Sequence, residues 1–169
     1  MLKCFFSPST HQQQARRIYA QIVAAARQAV FYKDWQVPDT LDGRFDMLVL
    51  HLYLVLDACG KHREFCRDLS EAFFSDMDRS LREMGVSDTG VGKRIKAMAQ
   101  AFYGRQAAYA EAGSDEKKLM EALRRNVWRE KPAAGEAVAA LAGYMRRNAG
   151  ALRIRGAEAV IRDGFTCQE

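Results

Sequence analysis

The chain has 169 residues, enough for one compact domain that removes about two-thirds of the unfolded surface from water. At 49% hydrophobic and 28% charged it falls among globular proteins, away from disordered or collagen-like chains. The net charge of +5 is lopsided: residues 1–90 carry 11 Lys/Arg against 12 Asp/Glu, and residues 91–169 carry 15 against 9. The second half therefore suits an anionic partner, with solvated helix surfaces as the plainer reading.

No apolar run approaches the ~18 residues of a bilayer span. The longest, "MLVLHLYLVL" at 47–56, reads as a buried core helix. "MLKCFF" is too short for the apolar region of a secretory signal, so an intracellular, cytoplasmic protein is expected, with Cys4, Cys59, Cys66 and Cys167 reduced. Residues 1–12 read as a flexible or lightly packed extension in which Leu2, Phe5 and Phe6 could touch a membrane or partner.

No window alternates like a half-buried strand, whereas helical spacing recurs throughout. The expected fold is all-α: a single-domain bundle of about six to seven helices over 13–155, with a C-terminal tail at 156–169. Ser9 or Thr10 can cap a first helix running to about Val30, with Ile18, Ile22, Ala25 and Ala26 on its apolar stripe. Pro38 interrupts the chain, and Asp39, Thr40 or Asp42 can cap a nearly all-apolar helix over 43–58. A helix over 62–84 places Phe65, Leu69, Phe73, Met77 and Leu81 four apart, and Gly85 is its left-handed stop. Ser87, Asp88 or Thr89 caps a helix over 91–112 that buries Ile95, Met98, Ala99, Phe102 and Tyr109. On it Ala97, Ala101, Gly104 and Ala108 form a small-residue stripe open to a neighbouring backbone. Ser114 caps the next helix, with Asp115 and Glu116 in its first turn. Pro132 opens another, and Gly150 or Gly156 breaks a weaker C-terminal segment.

"SDTGVGKR" at 87–94 comes close to a phosphate loop, but Ser87 stands where a glycine is needed and Arg94 where the magnesium hydroxyl belongs. Nucleotide binding is not expected. Asp76 and Asp78 point about 200° apart on a helix and cannot share an ion. Cys59, His62 and Cys66 share a helical face but lack a fourth ligand, so no metal is expected. His51 reads as a hydrogen-bonded core histidine, and no nucleophile stands near it at a recognisable spacing. From the residues alone this is an all-α binding module, with no catalytic residue or cofactor.

Three features carry the reading further: "VPDTLDGRFDMLVLHLYL" (37–54), "FSDMDRSLREMGVSDTGVGKRIKAMAQAFYGR" (74–105) and the spacing to Tyr109. They closely resemble the ubiquinol–cytochrome c chaperone family, from about Ile18 to Tyr109 and more loosely to about Arg147. The resemblance implies a non-enzymatic chaperone that holds newly made cytochrome b and promotes assembly of the cytochrome bc1 complex. The lack of a mitochondrial presequence points to a bacterial member of the family, with an expected cytoplasmic site of action, peripheral at the inner membrane if attached. Cytochrome b is the implied client; a ribosome, a membrane surface and a small assembly partner are further candidates, and no specific DNA is expected.

Carried across, the family's marked positions are Asp39, Asp42, Gly43, Arg44, Phe45 and Asp46, then Asp76, Met77, Asp78, Arg82, Glu83, Met84 and Gly85, then Gly92, Lys93, Arg94, Phe102, Tyr103, Gly104 and Arg105. Lys93, Arg94, Lys96 and Arg105 are expected on or beside the exposed side of their helix, where packing requires no cation. With Arg44, Asp46 and Tyr103 they are the expected partner-binding residues; the others read as motif or structural positions. The rival reading is a basic helical module for RNA, the ribosome or an anionic membrane surface, resting on Lys117, Lys118, Arg124, Arg125, Arg129 and Lys131.

Overall fold

The most apolar helix is the axis of the fold. In the computed structural model, which describes residues 10–129 and 132–168, α3 (Leu41–Ala58) is buried without interruption from Val49 to Val55. Around it stand α1 (Thr10–Ala26), α5 (Asp88–Ala112), α6 (Glu116–Val127) and α7 (Gly135–Arg155), while α4 (Arg63–Glu83) packs on α1 and α5. Two short helices complete the bundle, α2 (Ala29–Lys33) and α8 (Ala157–Asp163), and the described residues contain no strand. None of these helices is long and apolar enough to cross a membrane.

The expected first helix is divided in two. The chain leaves α1 after Ala26, Gln28 is extended, and α2 begins a new direction. Burial of Phe31 accounts for the break: its ring lies edge-on to Trp35, His51 and Tyr144 at 5.3, 5.6 and 5.2 Å. A second aromatic nucleus lies between α4 and α5, where Phe73 meets Phe102 at 5.4 Å and Phe45 at 5.9 Å.

The turns follow local chemistry. The Thr40 hydroxyl accepts from Gly43 N at 3.1 Å and starts α3, and Ser87 does the same for α5 through Gly90 N. A side chain at Gly43 would collide with the Pro38 carbonyl, so only glycine lets the loop fold back this closely. Gly85 takes φ +79 at the end of α4. Gln36 is left-handed as well, and its carbonyl accepts from Trp128 Nε1 at 2.8 Å, tying this loop to α6.

Four local expectations need correction. Asp115, not Ser114, caps α6: its Oδ1 accepts from Lys118 N at 3.1 Å and satisfies the first turn. α7 starts at Gly135, after Pro132, passes through Gly150 and stops at Gly156, whose φ of +79 ends it. The small-residue stripe on α5 seats no backbone: Ala97 and Gly104 are exposed, with nothing near Gly104. The segment read as a tail carries α8, and Phe165 beyond it is buried. There Phe165 N donates to Gln21 Oε1 at 2.8 Å, and Asn148 exchanges hydrogen bonds of 2.8 and 3.0 Å with the Gln168 backbone. The readings placed on Leu2, Cys4, Phe5, Phe6, Ser9 and Lys131 lie outside the described residues.

Candidate functional site

α3 and α4 each pack more closely against α5 than against each other. At the start of α3 and the end of α4 the space between them stays open, as a groove of about 430 Å³. Its walls are apolar: Phe45 and Leu48 from α3, Met77 and Leu81 from α4, Ala97, Met98 and Ala101 from α5. Leu41 and Met84 stand at its lips, 69% and 51% exposed. The apolar stripe of α4 thus continues past the point where a neighbour covers it, and the small side chains of α5 keep the groove wide. Methionine suits such a wall, since its unbranched, polarisable chain adapts to different occupants.

Four guanidinium groups, those of Arg44, Arg94, Arg105 and Arg129, also line the groove, against one carboxylate, Asp42. Beneath them Asp46 is fully buried and joins three parts of the chain. Arg105 Nη2 approaches its Oδ1 at 2.6 Å, and Arg129 Nη2 donates to its Oδ2 at 2.9 Å. Burial pushes the Asp46 carboxyl up to about 6, outweighing the opposing pull of Arg105 and Arg129. Arg105 Nη1 donates to the Ala101 carbonyl, and the guanidinium lies over the Phe45 ring at 5.4 Å. Arg105 Nε has no hydrogen-bond partner.

The expected partner-binding residues divide. Arg44 is exposed and donates to Asp39 at 2.7 Å. Lys93, Arg94 and Lys96 are exposed on α5, and of these Arg94 lines the groove. Tyr103 is 62% exposed beside Phe102. Arg105 departs from the reading: it is 6% exposed and held inside by Asp46, which the sequence placed on α3 without revealing that the two meet.

Among the motif positions, Phe45, Met77 and Phe102 are core. Asp76 accepts from Tyr19 Oη at 2.8 Å and pairs with Arg79; Arg82 joins Asp78 at 2.7 Å and also pairs with Asp88. Glu83 lies 4.0 Å from Arg79. Gly92 and Gly104 are exposed with open space where a side chain would stand, and nothing in the structure requires glycine there. Leu41, Leu48, Met98 and Arg129 join the groove without having been singled out for it; the apolar Leu41 in the exposed first turn of α3 was the available signal.

Away from the groove, Cys66 Sγ donates to the Cys59 carbonyl at 3.2 Å and His62 occupies the N-cap position of α4. The Cys59 thiol is pushed up to about 12, chiefly by burial. The described residues contain no cluster of three His, Cys, Asp or Glu side chains able to hold a metal ion. His51 is fully buried, its Nδ1 2.7 Å from the Met47 carbonyl, which can only accept. Nδ1 therefore carries the proton, and Nε2 accepts from Tyr144 Oη at 2.8 Å. Burial lowers its pKa to about 4. Lys117, Lys118, Arg124, Arg125 and Arg129 are exposed on and just after α6.

The described residues thus form an all-α bundle with an open apolar groove and an arginine lip. Residues 33–167 match the family model described as ubiquinol-cytochrome C chaperone, and the chain belongs to that family. It is 27% identical over 120 residues to ubiquinol-cytochrome-c reductase complex assembly factor 1 of Xenopus laevis, a match covering 67% of this chain and 59% of that relative's length. Among solved structures, the Cbp3 homolog from Brucella abortus superposes with a TM-score of 0.83 at 36% identity, over 95% of this chain and 91% of that one.

Proposed function

We propose that this chain is a non-enzymatic chaperone in the assembly of the ubiquinol–cytochrome c reductase (bc1) complex, and that it holds newly made cytochrome b. The observation that carries the reading is the groove: an apolar, methionine-lined channel open between the start of α3 and the end of α4, with Leu41 and Met84 exposed at its lips. A membrane protein awaiting its partners exposes apolar helix surface to water, and a groove of this lining shields such a surface at little ordering cost. Family membership and the assembly factor among its relatives support reading that complex as bc1.

Capture and release then run on affinity. Ser87 caps α5 and Arg94 faces the groove, so the loop that comes near a phosphate cradle has other work. A client entering the bilayer places the working position at the cytoplasmic face of the inner membrane. The exposed cations of α6 favour a second reading, a module for RNA or anionic membrane, which a steep salt dependence of binding to nucleic acid or anionic vesicles would reveal.

The test is deletion and complementation. Without this chain, assembled bc1 complex should fall while the cytochrome b transcript is unchanged. The wild-type chain should restore it, and a variant whose groove is filled by Ala101→Trp should not. Unchanged bc1 levels after deletion would refute the assembly role.

A further inference from the structure

The four arginines of the groove are not equivalent. Arg44 is paired with Asp39, while Arg105 and Arg129 share Asp46. Arg94 has no ion-pair partner among the described residues, although it lines the same apolar channel. Along α5 the groove residues run Arg94, Ala97, Met98, Ala101 and Arg105, a single helical face. At 1.5 Å per residue, Arg94 and Arg105 bracket the apolar stretch about 16 Å apart, close to three helical turns. At the inner bracket Arg105 is buried, and its counter-charge is already supplied by Asp46 at 2.6 Å. Arg94 is thus the groove guanidinium that asks for a negative charge at the end of an apolar occupant.

Resting on the groove reading above, we propose that the groove selects its occupant by charge: an apolar helical segment of about three turns, bounded by a carboxylate that pairs with Arg94. The apolar wall supplies affinity without discrimination, since any apolar helix of similar width fits it. Arg94 supplies the discrimination, because a client lysine at that end would meet a cation and a client glutamine would leave the guanidinium without a counter-charge. At the far end Asp46 holds Arg105, and Asp42 and Asp46 offset Arg129.

The test uses the full chain and a fluorescein-labelled Leu/Ala-rich peptide of roughly 18 residues, long enough to hold a helix, with Glu, Gln or Lys at the end of its leucine stripe. Fluorescence anisotropy at low salt should rank them Glu, Gln, Lys, with about a tenfold step from Glu to Gln, as expected for a charge-assisted hydrogen bond. Arg94→Gln should abolish the Glu preference, Arg94→Glu should turn it toward Lys, and Lys61→Gln, at an exposed cation just before α4 and outside the groove, should leave it intact. Arg94 is exposed, so these variants should fold, which circular dichroism checks. Equal binding of the three peptides by wild type would overturn charge selection and leave the groove reading standing. Binding of none of them by the folded protein would overturn both.

Discussion

Asp46 and His51 are both fully buried on α3, and their ionisation pulls stability in opposite directions. His51 titrates near 4 in the folded chain against an ordinary 6.5, so it binds fewer protons folded than unfolded across that window, and its contribution is lost as pH falls. Asp46 is raised from 3.8 to about 6, binds more protons folded, and regains stability over much of the same fall. Each linkage is on the order of 3 kcal/mol, so the two nearly cancel in the wild type. Asp46→Asn should leave the His51 linkage exposed, and urea unfolding between pH 6.5 and 4 should show a steeper loss than in wild type. Parallel curves would show that Asp46 does not titrate there. Gly43→Ala should be disruptive, because the new methyl meets backbone and not a yielding side chain; a loss of about 3 kcal/mol or more is expected, read from the thermal midpoint. The glycine was legible as part of a motif, but its reason, the Pro38 carbonyl, is a contact between loop and helix that no spacing rule encodes. Arg105 was misplaced for a similar cause: on α5 alone it reads as one more surface cation, and only Asp46 draws it inside.

At the scale of elements, what depends on near neighbours in sequence was readable. The stripe of α4, the Thr40 and Ser87 caps and the Gly85 stop all rest on residues within a turn or two. The break between α1 and α2 was not, since burial of Phe31 against α3 and α7 decides it. The open side of α5 was hidden too: its small residues suggested a close neighbour, and in the fold Ala97 and Ala101 border a groove. That placement gives a sharp expectation. Reversing charge at Lys93, Arg94 and Lys96 should cost under ~0.5 kcal/mol of stability, since all three are exposed, yet should weaken client capture. Phe102→Ala is the contrasting variant: it removes a ring stacked on Phe73 and should cost ~3–5 kcal/mol. Chemical denaturation with a client pull-down separates the two effects. A triple reversal that folds and still captures client normally would remove this end of α5 from the site.

For the whole molecule, the all-α class followed from helical spacing and the absence of alternation, but the groove required knowing that α3 and α4 are held apart at one end by α5. The same tertiary logic turns residues 157–168 from an expected tail into part of the body, fastened by Gln21, Asn148 and Phe165. The central claim is that cytochrome b is held in this groove, and site-specific photo-crosslinking in growing cells addresses it most directly. A photoreactive residue replacing Met98 in the groove wall should yield an adduct with newly made cytochrome b. One replacing Glu64, exposed at the opposite end of α4 and roughly 20 Å from Met77, the nearest groove residue on that helix, should not. An adduct confined to position 98 is the predicted result; no cytochrome b adduct there, or equal adducts from both positions, would contradict it.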